Sequence, residues 1–223
     1  ETRISLIRPD GPYYRGRSAV AAARDGATLE DIARLLWDCG SQDPFADPPG
    51  DWPASIAPLA GDAELPPLSR AMAAIPLLAL HVPHSFQADQ PTRHAVAATL
   101  LRQNAALLVA RHPAGPVHHL LGEAWRPGDA GFAELVRAAL VLCADHELNV
   151  SAFAARVVAS TGAHLHATVC AGLAALSGPR HGGATARAWA LIEAGRESRD
   201  RGGGGASRRR RGEASGSMRV RGW

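Results

Sequence analysis

Two short polar segments interrupt the most apolar part of this chain, and their placement limits what the sequence can fold into. The apolar part covers residues 132–187, and the polar segments are residues 145–149 and 178–184. Apolar residues precede the first segment at helical spacing, which predicts a helix with one buried face: Phe132, Leu135, Val136, Ala139, Leu140 and Cys143. The alanine-rich residues 152–176 predict helices that pack closely on several sides.

The second polar segment combines a helix stop with a helix start. Gly178 and Pro179 end the preceding helical pattern, and Gly182 and Gly183 stand before residues 184–194, which have a helical pattern of their own. Backbone N–H groups at the start of a helix favour negative charge. The pattern therefore places His181 where developing negative charge would be stabilised.

The remaining sequence favours an all-α fold with a small β-hairpin at its start. Residues 2–7 alternate polar and apolar side chains, and residues 9–12 have the composition of a turn before residues 13–15, which predicts the hairpin. Thr28 and Asp31 form a variant capping box before a helix with an apolar face. Further helices are predicted at residues 69–80, 92–111 and 116–124. Strand signals are nearly absent after the hairpin.

Length and charge suggest a single domain with a distinct tail. The chain has 223 residues, 46% of them hydrophobic, and neither a membrane-spanning apolar run nor a signal peptide is evident, so a soluble cytoplasmic protein is expected. All 24 basic residues are arginine. Nine of these arginines and three acidic residues follow Gly195, so the tail carries +6 and the rest of the chain −3.

Residues 196–223 form a glycine- and arginine-rich segment with almost no apolar side chains, which predicts disorder. Clustered arginines could neutralise nucleic-acid phosphates. Trp223 is the one aromatic residue there that could stack on a base. A solvated or out-of-frame end is the favoured interpretation, and no nucleic-acid partner is expected.

Histidines and cysteines give no metal-binding pattern. The histidine pairs 81/84, 118/119 and 164/166 join no cysteine or carboxylate at a recognisable ligand spacing, so no metal site is predicted. Cys39, Cys143 and Cys170 lack paired spacing and are expected to be buried free thiols. Arg15 is interpreted as a residue that fixes the hairpin to the helices, with a substrate contact as the alternative.

Two motifs resemble the citrate synthase family, which includes the 2-methylcitrate synthases. The first is residues 144–149 with Ser151 and residues 153–156, and the second is residues 178–184. Residues 10–37 also resemble that family's amino-terminal segment, and the resemblance thins between residues 39 and 90. The resemblance implies three parts: a hairpin segment (1–17), a helical large domain (18–180) and the start of a small domain (181–195). The tail predicted to be disordered (196–223) follows them.

The resemblance also implies a function. Family members condense acetyl-CoA or propionyl-CoA with oxaloacetate in the tricarboxylic acid or methylcitrate cycle, as homodimers without a permanently bound cofactor. It assigns His181 to the enol oxygen as a catalytic residue, and His146 to oxaloacetate, with Asn149 beside it. From the residues alone, His146 could equally be a helix C-cap whose ring bonds nearby carbonyls.

The sequence departs from the family after Gly195. Family members continue with a Gly-aromatic-Gly-His motif, an arginine that binds the oxaloacetate carboxylate, and the aspartate that serves as general base. No matching residues occur here, so we expect a truncated or frameshifted copy that is inactive by itself. Two alternatives remain: a non-catalytic interaction protein that keeps the dimerisation core, and an arginine-tailed nucleic-acid binder.

Overall fold

The computed structural model describes residues 4–82, 89–145 and 149–183, and helices dominate these ranges. Three strands come first: β1 (Ser5–Arg8), β2 (Gly11–Tyr14) and β3 (Arg17–Ser18). The helices follow in chain order: α1 (Ala19–Arg24), α2 (Leu29–Trp37), α3 (Ala57–Ala60), α4 (Pro67–Leu78), α5 (Gln90–Leu108), α6 (Val117–Trp125), α7 (Ala130–Leu142), α8 (Val150–Ser160) and α9 (Leu165–Leu176). A single 3₁₀ turn, Ala79–His81, extends α4.

The strands form an antiparallel sheet in the order β1-β2-β3, so a third short strand joins the predicted hairpin. Ser5 pairs with Tyr14, and Arg8 pairs with Gly11. Arg15 then connects the sheet to α2, because its Nε and Nη2 donate to the Leu36 carbonyl at 3.0 and 2.9 Å. The interpretation of Arg15 as a residue that fixes the sheet to the helices is confirmed.

Side chains that accept backbone N–H groups start most of the helices. At α2 the predicted capping box is present in both directions: Thr28 Oγ1 accepts the Asp31 N–H, and Asp31 accepts the Thr28 N–H. Asp89 caps α5 by accepting the Thr92 N–H, and Asp129 caps α7 by accepting the Phe132 N–H. These caps satisfy donors that would otherwise lack intrahelical partners.

The main core lies where α4, α5 and α9 meet. Ile56, Ile75 and Leu107 are fully buried there, and Leu173 of α9 packs against them. Arg70 of α4 is also buried, and its guanidinium donates to the carbonyls of Asp62, Leu65, Leu107 and Leu108. A second core joins the sheet to α1, α2 and α7 through Tyr14, Ile32 and Val141.

The all-α class with strands at the start is confirmed, and the differences from the sequence prediction are local. α5 ends at Leu108 and not at residue 111, because Ala110 adopts a left-handed φ of 51° that stops the helix. Cys39 is buried and Cys170 half-buried, whereas Cys143 is exposed at the end of α7, so the prediction of three buried thiols is wrong for Cys143. The helix predicted at 184–194 and the tail lie outside the described residues.

Within the described ranges, none of the helices has the length and apolar character needed to cross a membrane. The proposed domain boundaries at 17, 180 and 195 stay predictions.

Candidate active site

The candidate site forms at one end of the helix pair α8 and α9. A turn with Gly162 at a φ of 81° joins the two helices. The two helices are in contact at Gly172 of α9, where a Cβ would lie at ordinary van der Waals distances of 3.5 Å from the Ser151 carbonyl oxygen and 3.8 Å from the Ala155 Cβ. The start of α8 therefore lies beside the second half of α9, from which the chain leads to His181.

A tight turn after α9 fixes the backbone at His181. The His181 N–H donates to the Gly178 carbonyl at 3.0 Å, and the Gly182 N–H donates to the Leu176 carbonyl at 3.1 Å. A side chain at Gly182 would collide with that Leu176 carbonyl. Glycine at position 182 is therefore required by the close approach of the turn to the end of α9.

The central contact of the site joins α8 to this turn. Ser151 Oγ lies 2.7 Å from His181 Nε2, and both residues are half-buried. The hydroxyl can donate to Nε2 or accept from it, depending on the imidazole tautomer. When Ser151 donates, the ring proton is on Nδ1, and Nδ1 is then the nitrogen of the ring that can donate a hydrogen bond.

Asn149 lies at the same end of α8, where it is the N-cap. Its Oδ1 accepts the Ala152 N–H at 2.8 Å. The amide nitrogen, Nδ2, takes no part in this cap and carries two protons that can be donated to a substrate oxygen. The predicted role of Asn149 in binding substrate stays a prediction.

The structure places two of the three predicted site residues near each other. Asn149 caps α8, and Ser151, the second residue of that helix, contacts His181. His146 lies outside the described residues. Sequence reasoning missed the role of Ser151, although it recognised that residue as part of the first motif. The two motifs indicated that Ser151 and His181 belong to one site. Their direct contact follows only from the packing of α8 on the turn after α9.

Two histidines outside this site are buried and held neutral. Burial lowers the pKa of His166 to about 4, with His164 as a smaller cause. Burial, and then the neighbouring His119, also lower the pKa of His118. In the part of the chain that the structure describes, no three His, Cys, Asp or Glu side chains come together as metal ligands.

The sequence of this chain is similar to those of known citrate synthases. The sequence model for the citrate synthase C-terminal domain matches residues 53–208, more than half of the chain. The putative citrate synthase 2 of Mycobacterium bovis is 43% identical over 65 residues, which are 29% of this chain and 17% of that protein. The 2-methylcitrate synthase of Shewanella oneidensis is 48% identical over 54 residues, which are 24% of this chain and 14% of that protein.

A solved structure gives the same result at the level of the fold. The citrate synthase of Thermoplasma acidophilum, in a complex with carboxymethyl coenzyme A and oxaloacetate, aligns with a TM-score of 0.62 at 23% identity. The alignment covers 82% of this chain and 55% of that one. The chain thus spans about half the length of the solved citrate synthase, and only short segments of the curated relatives match it.

Proposed function

Because the chain belongs to the citrate synthase family, we propose that the site around Ser151 and His181 serves the condensation of an acyl-CoA with oxaloacetate. The contact between Ser151 Oγ and His181 Nε2 is the observation that carries this proposal. It fixes the imidazole of the second motif from a residue of the first motif. Acetyl-CoA and propionyl-CoA are the two substrates that the family likeness suggests.

His181 would act on the acyl-CoA. Removal of a proton from the carbon beside the thioester leaves negative charge on the thioester oxygen, and a fixed hydrogen-bond donor stabilises that charge. A neutral imidazole supplies such a donor without bringing a second charge into the site. Ser151 holds the ring in place, so the donor needs no reorientation as the charge develops.

His146 and Asn149 would hold oxaloacetate. In the condensation the enol carbon attacks the ketone carbon of oxaloacetate, a carbon–carbon bond forms, and the ketone oxygen gains a proton. Water then cleaves the thioester and releases CoA. Among these 223 residues no histidine follows His181. The histidine that polarises the ketone and the aspartate that serves as general base, both expected from the family likeness, therefore have no counterpart here.

We therefore expect the 223-residue chain to bind substrate without turning it over. A general acid or base typically contributes about 10²- to 10⁴-fold in rate, so the missing groups together should leave no measurable turnover. A thiol-release assay with oxaloacetate and acetyl-CoA or propionyl-CoA tests this expectation. Turnover that is abolished by His181→Ala would contradict it.

Substrate binding tests the proposed function directly. In ¹⁵N-labelled protein, addition of oxaloacetate and an acyl-CoA should shift the His181 ring signals and the amide signals of Asn149 and Ser151. Ser160, at the far end of α8, should keep its signals. An unchanged spectrum at millimolar oxaloacetate and acyl-CoA would overturn the proposal.

A second candidate function is a non-catalytic interaction core, and one observation favours it. The outer face of α8 exposes three apolar side chains at helical spacing: Val150 is 60% exposed, Phe153 56% and Val157 49%. Apolar side chains that share one exposed helix face are typical of an interface. A second copy of this chain is the partner that the family likeness suggests, and the interface would be isologous.

A further inference from the structure

A second cavity of the molecule lies where α2, α5 and the loop before α6 meet, and it shares no residue with the site around Ser151 and His181. Its volume is about 240 Å³, below the range of pockets that hold drug-sized molecules. Charged side chains dominate its lining: Glu30, Asp31, Arg34, Asp43 and Arg102. The size and the charges of this cavity suit a small, charged ligand.

Three of these five charges compensate one another. Arg34 Nη1 lies 3.8 Å from Asp31 Oδ1, and Arg34 Nε lies 3.9 Å from Asp43 Oδ1. Within the described ranges, neither Glu30 nor Arg102 takes part in an ion pair. One negative and one positive charge without a counter-charge therefore line the same cavity.

Glu30 carries the negative charge, and it is 8% exposed. Its Oε1 accepts the Val117 N–H at 2.8 Å, at the start of α6, and its Oε2 has no hydrogen-bond partner among the described residues. Burial lowers the pKa of the neighbouring His118, so that imidazole is neutral at neutral pH and brings no positive charge to Glu30. A buried carboxylate of this kind is stabilised by a cationic hydrogen-bond donor.

Arg102 carries the positive charge, and backbone carbonyls hold its guanidinium in place. Nη1 donates to the Asp47 carbonyl at 2.7 Å, and Nη2 donates to the Phe45 carbonyl at 2.9 Å. Nε has no hydrogen-bond partner within the part of the chain that the structure describes. Because both acceptors are neutral, the guanidinium keeps an uncompensated charge, and a carboxylate is the group that it pairs with best.

We propose that this cavity binds a free α-amino acid, whose ammonium group pairs with Glu30 and whose carboxylate pairs with Arg102. A simple amine would leave Arg102 without a counter-charge, and a simple carboxylic acid would leave Glu30 without one. Phe45 and Pro116 add apolar surface to the lining, which suits a small apolar side chain such as that of alanine. This binding site goes beyond the proposed condensation and does not depend on it.

A ligand series on the full-length wild-type chain tests the pairing of both charges. Calorimetric titrations use L-alanine, ethylamine, which lacks the carboxylate, and propionate, which lacks the ammonium group. We expect alanine to bind at least about 10-fold more tightly than either analogue, because each analogue loses one charge-assisted contact. Equal affinities for the three compounds, or no saturable binding of alanine at millimolar concentration, would overturn the proposal.

Amide signals of ¹⁵N-labelled protein locate the bound amino acid. Alanine should shift the Val117 amide signal, because that N–H donates to Glu30. The Gly128 amide is the internal reference, since it donates to the Glu123 carboxylate, which does not line the cavity. A Val117 signal that alanine does not move, or one that moves no more than the Gly128 signal, would contradict binding at this cavity.

Two variants and their matched controls test the named residues. Glu30→Gln removes the charge but keeps an oxygen that can accept the Val117 N–H, and Arg102→Met removes the guanidinium. Each should weaken alanine binding at least about 10-fold. Glu123→Gln, and Arg93→Met at an exposed position of α5, should bind alanine as the wild type does. Wild-type affinity in folded Glu30→Gln protein would refute the site, and the ligand series in the wild type decides even if Arg102→Met fails to fold.

Discussion

Ser151 Oγ lies 2.7 Å from His181 Nε2, although the two residues are 30 positions apart in the chain. The contact joins the first turn of α8 to the turn after α9, so one hydrogen bond connects the two polar motifs. This hydrogen bond fixes the His181 imidazole in the candidate site, and a single substitution at Ser151 tests it directly.

Replacement of Ser151 by alanine should release the His181 ring. We expect Ser151→Ala to change the tautomer balance and the orientation of the His181 ring, and to lower the free energy of unfolding by about 0.5–1.5 kcal/mol for the lost hydrogen bond. ¹⁵N shifts of the imidazole and urea denaturation measure the two effects. Ser160→Ala is the control, because that hydroxyl of the same helix bonds only to the Val157 carbonyl among the contacts described. Equal responses of His181 in both variants would contradict the assignment.

The contact between α6 and α7 should not tolerate a methyl group at position 122. A Cβ at Gly122 would lie 2.7 Å from the Ala133 Cβ and 2.9 Å from the Ala133 Cα. Gly122→Ala should therefore destabilise the fold by about 1–3 kcal/mol, even though alanine favours a helix. Gly131→Ala is the control, since its nearest neighbour would be the Asp129 side chain at 3.5 Å. Thermal or urea unfolding measures the stability of both variants. A Gly122→Ala protein as stable as the control would refute the prediction.

Arg70 should be among the residues whose loss costs most stability. It is 2% exposed and donates to four backbone carbonyls, two of them at the end of α5. Arg70→Met keeps much of the side-chain volume but leaves buried acceptors unpaired, so we expect a loss of about 3–5 kcal/mol in the free energy of unfolding. Arg93→Met, at an exposed position of α5, should change it by less than about 0.5 kcal/mol. Similar denaturation midpoints for the two variants would show that Arg70 is not a structural donor.

Stability should fall between about pH 6.5 and pH 4. His166 is 1% exposed and its pKa is lowered from 6.5 to about 4, so it is neutral in the fold but takes up a proton in the unfolded chain below pH 6.5. His166 contributes about 1–3 kcal/mol to the free energy of unfolding above pH 6.5, and this contribution is lost as the pH falls toward 4. His118, also lowered by burial, adds a loss of the same sign.

The variant His166→Leu separates this effect from other titrations. The slope of the unfolding free energy against pH should become smaller in this window, whatever the change in absolute stability. His81→Gln, at an exposed position, should leave the slope unchanged. Urea denaturation at half-unit steps from pH 4.5 to 7 provides the comparison, and a slope that His166→Leu does not alter would disprove the role of His166.

The apolar face of α8 should drive self-association. We expect the chain to form a dimer at micromolar concentration and Phe153→Glu to shift it toward monomer, because the charge would lie in the middle of the exposed Val150, Phe153 and Val157 face. Leu135→Glu, at a 68% exposed position of α7, is the control and should leave the dimer intact. Sedimentation velocity measures the outcome. A monomeric wild-type chain would contradict the interface.

Much of the fold was determined by the sequence itself, because its signals are local. The capping box at Thr28 and Asp31, the apolar spacing from Phe132 to Cys143 and the breaks near Gly178 each depend on residues within a few positions of one another. Such patterns specify where helices begin, which face they bury and where they end. Two separate motifs, in order, were enough to indicate the family.

The tertiary structure decided which distant residues meet. Nothing within a few positions of Ser151 indicates His181 as its partner, and nothing near Tyr14 or Ser5 indicates the hydrogen bonds that both side chains make to Asp145. These contacts follow from how α8 packs against α9 and how the sheet packs against α7, which depend on side-chain fit across the whole core. Arg70 is a second example of what the sequence does not show. An arginine in a helical pattern is expected at the surface, and only the tertiary structure places four carbonyl acceptors around this one. Local sequence specifies elements, and the close packing between elements specifies the site.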